Sequence, residues 1–490
     1  MTSPDAARLS ELQSALVRAL GPNSVITDAA ERANYCRDWH GDVTMDAVAI
    51  LRPDCTEAVS RAVQTCARLG LAIVPQGGNT GLVLGAIPDD AHGQVVLSLS
   101  RMNRVRRIDA DDFSMVVDAG CVLQHLHEAA DAADMFLGLS LGAKGSCQIG
   151  GNISTNAGGI NVLRYGMARD QVLGLEVVLP DGSVLDALGT LRKDNRGLDV
   201  KQLFIGAEGI LGVVTGVALK LYPRPTQVET ALLGVDSLQA AIELYRRARR
   251  DCCDLMTAFE FMPPAAFTLA REAMPRLTSP IAMDHPGYVL VELSGSGLVD
   301  IRDLLDRFLE GVMVDGLVRD GVVAASRAQA DHIWKFREVM IEGQALRGLH
   351  LRTDVSVSLS QLATFVEQAE SALRSAFPDC MTVTYGHVGD GNVHINVLPP
   401  AGMDVASRGQ VIHGAKDCIN AVVDAFQGSI SAEHGIGRLK RAEFEARISM
   451  PRRQLLSAIK RAIDPDGLLN PNCQLDQEAG QAARAAMSTS

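Results

Sequence analysis

The stretch Tyr385-Gly-His-Val-Gly-Asp-Gly-Asn-Val-His-Ile-Asn396 predicts a β-hairpin that carries two histidines and an asparagine. Residues 381–388 and 393–398 on either side are rich in β-branched side chains. An Asp-Gly pair between two such runs is the strongest short signal for a tight hairpin turn. If Asp390 and Gly391 are the central turn residues, His387 faces His394 across the ladder and Asn396 shares their face. Two imidazoles and a carboxamide are therefore expected to converge.

Two converging imidazoles can hold a divalent metal such as Zn²⁺ or Mn²⁺ through nitrogen. The pattern is equally compatible with a surface hairpin that carries two ordinary histidines. A third ligand is offered by the stretch Ser431-Ala-Glu-His-Gly-Ile-Gly437, in which Glu433 is a carboxylate and His434 a candidate base. Two histidines and one glutamate leave coordination positions open, as a catalytic metal requires.

Length and composition narrow the class of protein. At 490 residues the chain is too long for one core, and two or three domains are expected. A hydrophobic content of 47% with 21% charged residues is typical of a globular protein. The net charge of −12 argues against nucleic-acid binding. The cysteines form no Cys-x-x-Cys pair, so neither an iron–sulfur cluster nor a zinc ribbon is expected.

The location expected from the sequence is the cytoplasm, with peripheral attachment to the inner membrane left open. Reduced thiols fit that setting. The N-terminal residues lack the apolar core of a secretory signal, and no apolar run is long enough for a transmembrane helix.

Two glycine-rich segments indicate a large bound cofactor. The first, Pro75-Gln-Gly-Gly-Asn-Thr-Gly-Leu82, follows a short predicted strand, and the second covers residues 138–166. Such loops can bring several backbone N–H groups close to a phosphate. Neither segment has the Gly-x-Gly-x-x-Gly spacing of a dinucleotide fold, and a Gly-Lys-Ser/Thr P-loop is absent from the sequence. Structured loops that wrap a cofactor with their backbone fit better than an ATPase site.

The remaining pattern predicts an α+β protein. Thr56 begins a helix that Gly70 ends, and a domain boundary is expected at 223–225, where two prolines flank an arginine. After that boundary, strands and helices alternate up to a predicted helix at 360–376 and lead into the histidine hairpin. This alternation favours an antiparallel sheet that includes the hairpin.

Five stretches of the sequence resemble a known family. Pro75-Gln-Gly-Gly-Asn-Thr-Gly81, the 138–166 segment and Gly206-Ala-Glu-Gly-Ile-Leu-Gly-Val-Val-Thr215 resemble the FAD-binding domain of the vanillyl-alcohol oxidase superfamily. Gly386-His-Val-Gly-Asp-Gly-Asn-Val-His394 and Ala432-Glu-His-Gly-Ile-Gly437 are similar to the FAD-linked D-2-hydroxyacid dehydrogenases. That group includes D-2-hydroxyglutarate and D-lactate dehydrogenases. The five motifs stand in the family's order over roughly positions 45 to 472.

The resemblance implies a fold and a division of the chain. Residues 1–224 would form a FAD-binding domain of two α+β subdomains, and 225–425 an α+β cap domain that binds substrate and metal. Residues 426–478 would form a helical C-terminal segment that returns to the flavin. A tail at 479–490 is expected to be frayed.

The resemblance also implies the roles of individual residues. It places a metal, zinc in the first instance with manganese, cobalt or iron as alternatives, on His387, His394 and Glu433, and makes His434 the catalytic base. Asn79 stands where some superfamily members carry the histidine that links to the flavin, so non-covalent FAD is expected. The residues expected at the cofactor are Pro75, Gly77, Gly78, Asn79, Thr80, Gly81, Leu82, Gly142, Ser146, Cys147, Gly150, Gly151, Asn152, Thr155, Asn156, Gly159, Gly212, Val213, Val214 and Asn470.

The substrate residues agree with the family in part. Arg337 matches the family's substrate arginine, whose planar fork suits a carboxylate, and Asn396 matches a substrate contact. Ile341 replaces a family threonine and makes the pocket more apolar, whereas Arg352 replaces a lysine and keeps its charge. D-2-hydroxyglutarate is therefore the expected substrate, and D-lactate or a bulkier apolar D-2-hydroxyacid remains open.

Partners and alternative functions complete the expectations. The electron acceptor would be an electron-transfer flavoprotein, a quinone or a cytochrome, and the family implies a homodimer. A metal hydrolase would use the two histidines, the glutamate and a bound water, but it leaves the glycine segments unexplained. A non-catalytic flavin-binding subunit is the third reading, and the intact His434 argues against it.

Overall fold

The computed structural model describes residues 4–90 and 92–475, which fold as two units. The first unit is built from the described parts of 1–158, 167–223 and 433–490. The second unit is built from 159–166 and 224–432. The chain therefore passes from one unit to the other four times. The expected frayed tail, 479–490, lies outside the described residues.

The secondary structure mixes helices and strands throughout, which confirms the predicted α+β class. The strands are β1 Val25–Ile26, β2 Ile50–Leu51, β3 Ala72–Gln76, β4 Gln94–Ser98, β5 Val105–Asp109, β6 Ser114–Asp118, β7 Met135–Phe136, β8 Val172–Val178, β9 Val184–Ala187, β10 Val213–Lys220, β11 Tyr222–Pro223, β12 Gln227–Val235, β13 Met256–Met262, β14 Gly287–Gly295, β15 Asp320–Val323, β16 Val355–Ser356, β17 Met381–His387 and β18 Asn392–Leu398. The helices are α1 Pro4–Leu20, α2 Ala29–Ala33, α3 Thr56–Leu69, α4 Leu123–Ala132, α5 Ile149–Ser154, α6 Val162–Tyr165, α7 Ala168–Gln171, α8 Leu238–Asp251, α9 Pro264–Ala273, α10 Ile301–Val314, α11 Arg327–Leu346, α12 Leu362–Ala376, α13 Val405–Ala425, α14 Arg441–Arg447 and α15 Met450–Ile463.

The first unit contains two larger sheets that share one apolar core. A four-stranded sheet has the order β1-β2-β4-β3, and its strands β2, β4 and β3 run parallel. A five-stranded antiparallel sheet has the order β5-β6-β10-β8-β9. Helix α3 packs its buried face on this core and ends at Gly70, which adopts the left-handed conformation (φ 66°) that a helix end favours. The first glycine-rich segment starts at the end of β3, and the second contains α5 and α6.

The C-terminal residues complete the parallel sheet of the first unit. The Ile73 N–H of β3 donates to the Leu468 carbonyl oxygen at 2.8 Å, and the Asn470 N–H donates to the Ile73 carbonyl oxygen at 2.7 Å. The end of the described chain thus lies beside the strand that leads into the first glycine loop. This pairing gives the sequence beyond α15 a structural role in the first unit.

The second unit is built on a seven-stranded antiparallel sheet with the order β15-β12-β14-β13-β17-β18-β16. Helices α9 and α11 pack together through Phe267 and Phe336, whose ring centroids lie 4.6 Å apart. The short helix α6 joins this unit because Arg164 Nη1 donates to the Ser294 carbonyl oxygen at 2.7 Å. The predicted antiparallel sheet with the hairpin inside it is confirmed.

The register of the histidine hairpin differs from the prediction. His394 lies opposite Tyr385, not opposite His387, because the connection contains a turn of 3₁₀ helix at Val388–Asp390. Only Gly391 of the expected central pair has a positive φ (80°), so the turn is not the two-residue primed type. The shift amounts to two residues, and side chains alternate between faces with a period of two. His387 and His394 therefore still point to the same face.

Among the described residues, no helix is both long enough and apolar enough to cross a lipid bilayer.

Candidate functional site

The first unit encloses a cavity between its two glycine-rich segments. Its empty volume, counted together with the open solvent at its mouth, is about 840 Å³. The cavity is lined by Pro75, Gln76, Gly77, Gly78, Asn79, Thr80, Gly81, Val83, Gly85, Ala86, Leu99, Gln148, Gly150, Gly151, Asn152, Ser154, Thr155, Glu208, Gly209, Gly212, Val213, Val214 and His434. Three segments form most of it: the loop after β3, the first turns of α5 and the loop before β10.

The glycines of this cavity allow backbones to approach closely. A Cβ atom at Gly78 would lie 2.1 Å from the Ser146 carbonyl oxygen, and one at Gly150 would lie 2.7 Å from the Ala119 Cβ. Such distances are too short for any side chain. The loop after β3 is thus packed against the segment before α5, and α5 against Ala119, with no room for a side chain at either glycine.

Two buried amide oxygens on the cavity wall are suited to a polar ligand. Among the described residues, Gln148 Oε1 and Asn152 Oδ1 have no hydrogen-bond partner although both atoms are inaccessible to solvent. An unsatisfied buried acceptor costs about 1–3 kcal/mol. A ligand with N–H or O–H donors would remove that cost. Together with the glycine backbone, these oxygens fit a large cofactor that carries phosphates, hydroxyl groups and ring N–H groups, as FAD does.

Glu208 fixes the loop that carries His434. Its buried carboxylate accepts the Ile436 N–H at 2.8 Å and the Gly437 N–H at 2.7 Å. Glu208 itself has a left-handed backbone (φ 49°) at the turn before β10. Glu208 and His434 both line the cavity. The two hydrogen bonds from the backbone of the His434 loop to Glu208 therefore hold the candidate base at the cavity.

The structure places most of the predicted cofactor residues on the cavity. The predicted residues that line it are Pro75, Gly77, Gly78, Asn79, Thr80, Gly81, Gly150, Gly151, Asn152, Thr155, Gly212, Val213 and Val214. The predicted residues that do not line it are Leu82, Gly142, Ser146, Cys147, Asn156, Gly159 and Asn470. The Asn470 amide instead donates to the carbonyl oxygens of Gly85 and Glu208 and so joins two of the cavity loops.

The second unit contains the predicted histidine pair in a buried polar cluster. The His387 Nδ1–H donates to Glu260 Oε1 at 2.5 Å, and the His394 Nδ1–H donates to the Thr353 carbonyl oxygen at 2.8 Å. Each ring thereby takes the tautomer that carries its lone pair on Nε2. Each histidine offers a ring nitrogen within 4.8 Å of the other. This arrangement, in which the second nitrogen donates to a carboxylate or a carbonyl, is the usual environment of metal-bound histidine.

Glu433 follows the second unit directly in the chain. The preceding residue, Ala432, donates its N–H to the Asp354 carbonyl oxygen at 3.3 Å. The Asp354 carboxylate in turn accepts the Asn392 side-chain amide at 3.0 Å, at the start of β18. The chain thus reaches Glu433 from a point that is tied to the strand of His394. Two imidazoles and a carboxylate are the donor set that Zn²⁺ and related divalent ions accept, so these residue types fit a metal.

The predicted substrate arginine belongs to the same cluster. Arg337 on α11 is buried, and its Nε–H donates to Glu260 Oε2 at 2.9 Å. Its guanidinium carbon lies 4.8 Å from the centroid of the Tyr385 ring, which is a cation–π distance. Burial alone would raise the pKa of Glu260, but the charges of His387 and Arg337 and their hydrogen bonds lower the pKa to about 2. Glu260 is therefore a carboxylate that accepts hydrogen bonds from both His387 and Arg337.

The other predicted substrate residues have different environments. Asn396 is buried, and its amide donates to Gln344 Oε1 at 2.7 Å and to the Tyr385 hydroxyl at 3.2 Å. Its oxygen accepts the Thr353 N–H at 3.0 Å, so protein groups already use the whole side-chain amide. Ile341 is 46% exposed, one helical turn after Arg337. Arg352 is half-buried in the segment before Thr353.

Sequence reasoning missed three residues of these sites. Glu260 has a clear signal, since it is the single charged residue in the run Met-Thr-Ala-Phe-Glu-Phe-Met of β13. A carboxylate inside a buried apolar strand needs a cationic partner. Glu208 lies in the quoted Gly-Ala-Glu-Gly motif, where the glycines are the stronger signal of a cofactor loop. Gln148 carries no signal in the sequence, since a glutamine before a short helix is common.

Two family models match most of the chain. Residues 224–473 match the family described as FAD linked oxidases, C-terminal domain, and residues 47–188 match the FAD binding domain family. The chain is 39% identical over 464 residues to the mitochondrial D-2-hydroxyglutarate dehydrogenase of Danio rerio, covering 95% of this chain and 85% of that protein. It is 37% identical over 450 residues to the D-2-hydroxyglutarate dehydrogenase of Xanthomonas citri pv. viticola, covering 91% and 93%.

Solved structures share the fold at low sequence identity. The p-cresol methylhydroxylase structure with bound substrate matches with a TM-score of 0.75 and 16% identity, covering 96% of this chain and 98% of that one. The 4-ethylphenol oxidase of Gulosibacter chungangensis matches with a TM-score of 0.75 and 19% identity, covering 97% and 98%. At these identities the likeness concerns the fold alone.

Proposed function

The chain belongs to the FAD-linked oxidase family, and we propose from this premise that it is a metal-dependent FAD dehydrogenase that oxidises a D-2-hydroxyacid to the 2-oxoacid. D-2-hydroxyglutarate is the substrate proposed first, since relatives that match more than nine-tenths of this chain carry that name. The observation that carries the proposal is the pair His387 and His394, whose ring nitrogens lie within 4.8 Å of each other and whose Nδ1 hydrogen bonds orient both rings beside the buried Arg337.

The proposal assigns the metal to His387, His394 and Glu433. Zinc is the first candidate, and manganese, cobalt or iron would suit the same donors. A divalent ion bound there lowers the pKa of the substrate hydroxyl and anchors it. His387 and His394 are rigid ligands because the hydrogen bonds from their Nδ1 atoms fix the ring orientation.

His434 is proposed as the base that takes the hydroxyl proton. A neutral imidazole can accept a proton near pH 7. The substrate then loses the hydrogen on C2 together with its electron pair, and the C2–O bond becomes a carbonyl. FAD, when bound, supplies the acceptor for that hydride. The 2-hydroxyacid becomes the 2-oxoacid by losing one proton and one hydride. With His434 and FAD as the two acceptors, no further reactant is needed. The proposed FAD is non-covalent, since Asn79 stands where some members of the superfamily carry the histidine that links to the flavin.

Arg337 is proposed to bind the carboxylate next to the hydroxyl. Its Nε is held by Glu260, and the two terminal nitrogens of a guanidinium form the planar fork that matches a carboxylate. Arg352 is proposed to bind the second carboxylate of D-2-hydroxyglutarate, whereas Asn396 would support the site through Tyr385 and Gln344. The exposed, apolar Ile341 favours a second candidate, a bulkier apolar D-2-hydroxyacid, and D-lactate is the third.

Anaerobic reduction of the bound flavin tests this function. The purified protein is mixed with D-2-hydroxyglutarate, D-lactate or either L-enantiomer, with and without EDTA. We expect one D-acid to remove the absorbance of oxidised flavin and EDTA to prevent the reaction. Protein without flavin, reduction by the L-enantiomers, or reduction that EDTA leaves unchanged would each contradict the proposal.

Replacing Arg352 by leucine should weaken D-2-hydroxyglutarate selectively. A hydrogen bond to a charged group contributes about 1.5–3 kcal/mol, so we expect KM for D-2-hydroxyglutarate to rise about 10- to 100-fold. KM for D-lactate, which lacks the second carboxylate, should change little. Arg347→Leu is the matched control, because that arginine lies in the same segment but pairs with Glu272 at 2.9 Å. An equal effect on both substrates would show that Arg352 does not read the second carboxylate.

The proposal extends to the parts of the chain and to partners. Residues 1–224 would bind FAD, 225–425 substrate and metal, and 426–478 would return to the flavin. An electron-transfer flavoprotein or a quinone would reoxidise the flavin, and the protein would act as a homodimer in the cytoplasm or at the inner membrane.

A further inference from the structure

Glu260 is a charged residue in an otherwise apolar strand. All seven residues of β13 are buried, and Glu260 itself is 1% exposed. It lies directly opposite His387 in the ladder between β13 and β17. One oxygen of its carboxylate accepts the His387 Nδ1–H at 2.5 Å, and the other accepts the Arg337 Nε–H at 2.9 Å. A single buried carboxylate thus contacts both a proposed metal ligand and the proposed substrate arginine.

We propose that Glu260 is a positioning residue that links metal binding to substrate-carboxylate binding by holding His387 and Arg337 with its two oxygens. The inference rests on the proposed function, since it assigns roles to the metal and substrate sites named there. It adds a residue that touches neither ligand, and it predicts that the two sites depend on each other.

The His387 side of the link concerns the tautomer. A carboxylate that accepts from Nδ1 keeps the lone pair on Nε2 and fixes the plane of the ring. It also makes the ring a stronger donor to a cation. Loss of such a partner typically costs about 10- to 100-fold in metal affinity.

The Arg337 side of the link concerns orientation. Glu260 holds the Nε edge of the guanidinium, and the Tyr385 ring lies against its face at 4.8 Å. Among the described residues, the only hydrogen bond recorded from the Arg337 guanidinium to a protein acceptor comes from Nε, not from the two terminal nitrogens. The two terminal nitrogens are therefore held in a fixed direction, and they are the pair that can bind a carboxylate bidentately.

Charge makes the link reciprocal. A buried guanidinium needs a counter-charge, and Glu260 supplies it. A divalent ion on His387 would otherwise stand close to an uncompensated positive charge. Removing the charge of Glu260 should weaken metal binding for two reasons. Arg337 would repel the ion, and His387 would lose the acceptor of its Nδ1–H.

Glu260→Gln in the full-length flavoprotein tests the link. Glutamine keeps the size of the side chain, but it has one acceptor oxygen and so can satisfy only one of its two donors. We expect zinc affinity, measured by competition with a chelator, to fall about 10- to 100-fold. We also expect KM for D-2-hydroxyglutarate at saturating zinc to rise at least tenfold. The absorbance of bound flavin should not change, because the cofactor cavity lies in the first unit.

Glu292→Gln is the matched control. Glu292 is half-buried on the neighbouring strand β14 and accepts from Trp334 Nε1 of α11 at 3.0 Å and from the Thr230 hydroxyl at 3.1 Å. It contacts the helix of Arg337 but neither Arg337 nor His387. Its replacement should leave zinc affinity and KM unchanged. If Glu292→Gln lowered zinc affinity and raised KM as strongly as Glu260→Gln, the effect would be a general loss of packing and the inference would be wrong.

Arg337→Leu tests the same link by removing the other partner of Glu260. It replaces the first test if Glu260→Gln does not fold. Arg337 is not a proposed metal ligand, yet its removal leaves the full charge of Glu260 on His387 and removes a positive charge near the ion. Zinc should therefore bind at least several-fold more tightly. Unchanged zinc affinity would overturn the inference.

The outcomes separate this inference from the proposed function. Wild-type protein that binds zinc and oxidises a D-2-hydroxyacid, together with Glu260→Gln protein of wild-type zinc affinity and KM, overturns the inference alone. Wild-type protein that binds no zinc or other divalent metal overturns the proposed function and the inference with it.

Discussion

Replacing His434 by alanine is expected to lower kcat for the D-2-hydroxyacid by about 10²- to 10⁴-fold, the usual contribution of a general base. The flavin and the metal should remain bound. The loop that carries His434 is held by hydrogen bonds from the N–H groups of Ile436 and Gly437 to Glu208, and these do not involve the imidazole. The measurement is steady-state turnover of the purified variant, with flavin content read from its absorbance.

His413→Ala is the control for His434→Ala. His413 lies exposed on α13 beside Asp417, so its loss removes an imidazole without touching either site. Its turnover should equal that of the wild type. If His434→Ala also kept wild-type turnover, another group would take the hydroxyl proton. If the wild type itself bound flavin but oxidised no hydroxyacid, the reading as a non-catalytic flavin-binding subunit would gain support.

Replacing His387 by alanine is expected to remove the bound metal and leave the flavin in place. The variant keeps one imidazole of the pair and loses the ring that Glu260 orients. Metal content measured on the purified variant should fall from near one equivalent to a small fraction, and turnover should fall with it. Flavin absorbance should not change, because the residues that line the cofactor cavity belong to the first unit and His387 belongs to the second.

The same experiment needs a histidine of the second unit that is no candidate ligand. His332 on α11 suits it, since its Nε2–H donates to the Thr278 carbonyl oxygen at 2.7 Å. His332→Ala should keep its metal and turnover. Loss of flavin together with metal in His387→Ala would mean that the histidine supports the fold instead of a metal.

The sequence predicted the larger elements of the second unit closely. The helix expected at 360–376 is present as α12, Leu362–Ala376. Long runs with a clear period leave little freedom in such assignments. The strand β12, Gln227–Val235, was not predicted. Its start follows the proline boundary directly, and its burial on both faces hides the alternation that marks a half-exposed strand.

The turn of the histidine hairpin could not be predicted from local signals. Asp390-Gly391 favours a two-residue turn, but Gly391 must also let the Val357 carbonyl oxygen approach to 2.3 Å from where a Cβ would lie. At Gly386 a Cβ would lie 2.7 Å from the Asn392 carbonyl oxygen, so the two strands approach more closely than side chains permit. These neighbours are distant in sequence or depend on the register itself. The pairing is therefore set by tertiary contacts that the turn motif does not contain.

The candidate sites show the same division between local and distant information. The glycine segments could be recognised because their composition is unusual, and their conformation follows from it. The double contact of Glu260 could not, since it joins β13, β17 and α11 across more than seventy residues of sequence. A single carboxylate in an apolar strand predicts that a partner is present, but it does not identify the partner.

The order in which the chain visits its two units bears on how the protein is made. The first unit needs Leu468 and Asn470 beside β3, and Glu208 needs the N–H groups of residues 436 and 437. A ribosome adds about 5–20 residues per second, so the second unit, 224–432, takes roughly ten to forty seconds to emerge. Until then the nascent N-terminal segment has an unfinished sheet. Flavin should therefore be acquired only after residues 436–470 have been made, and a nascent chain arrested before residue 433 should not retain it.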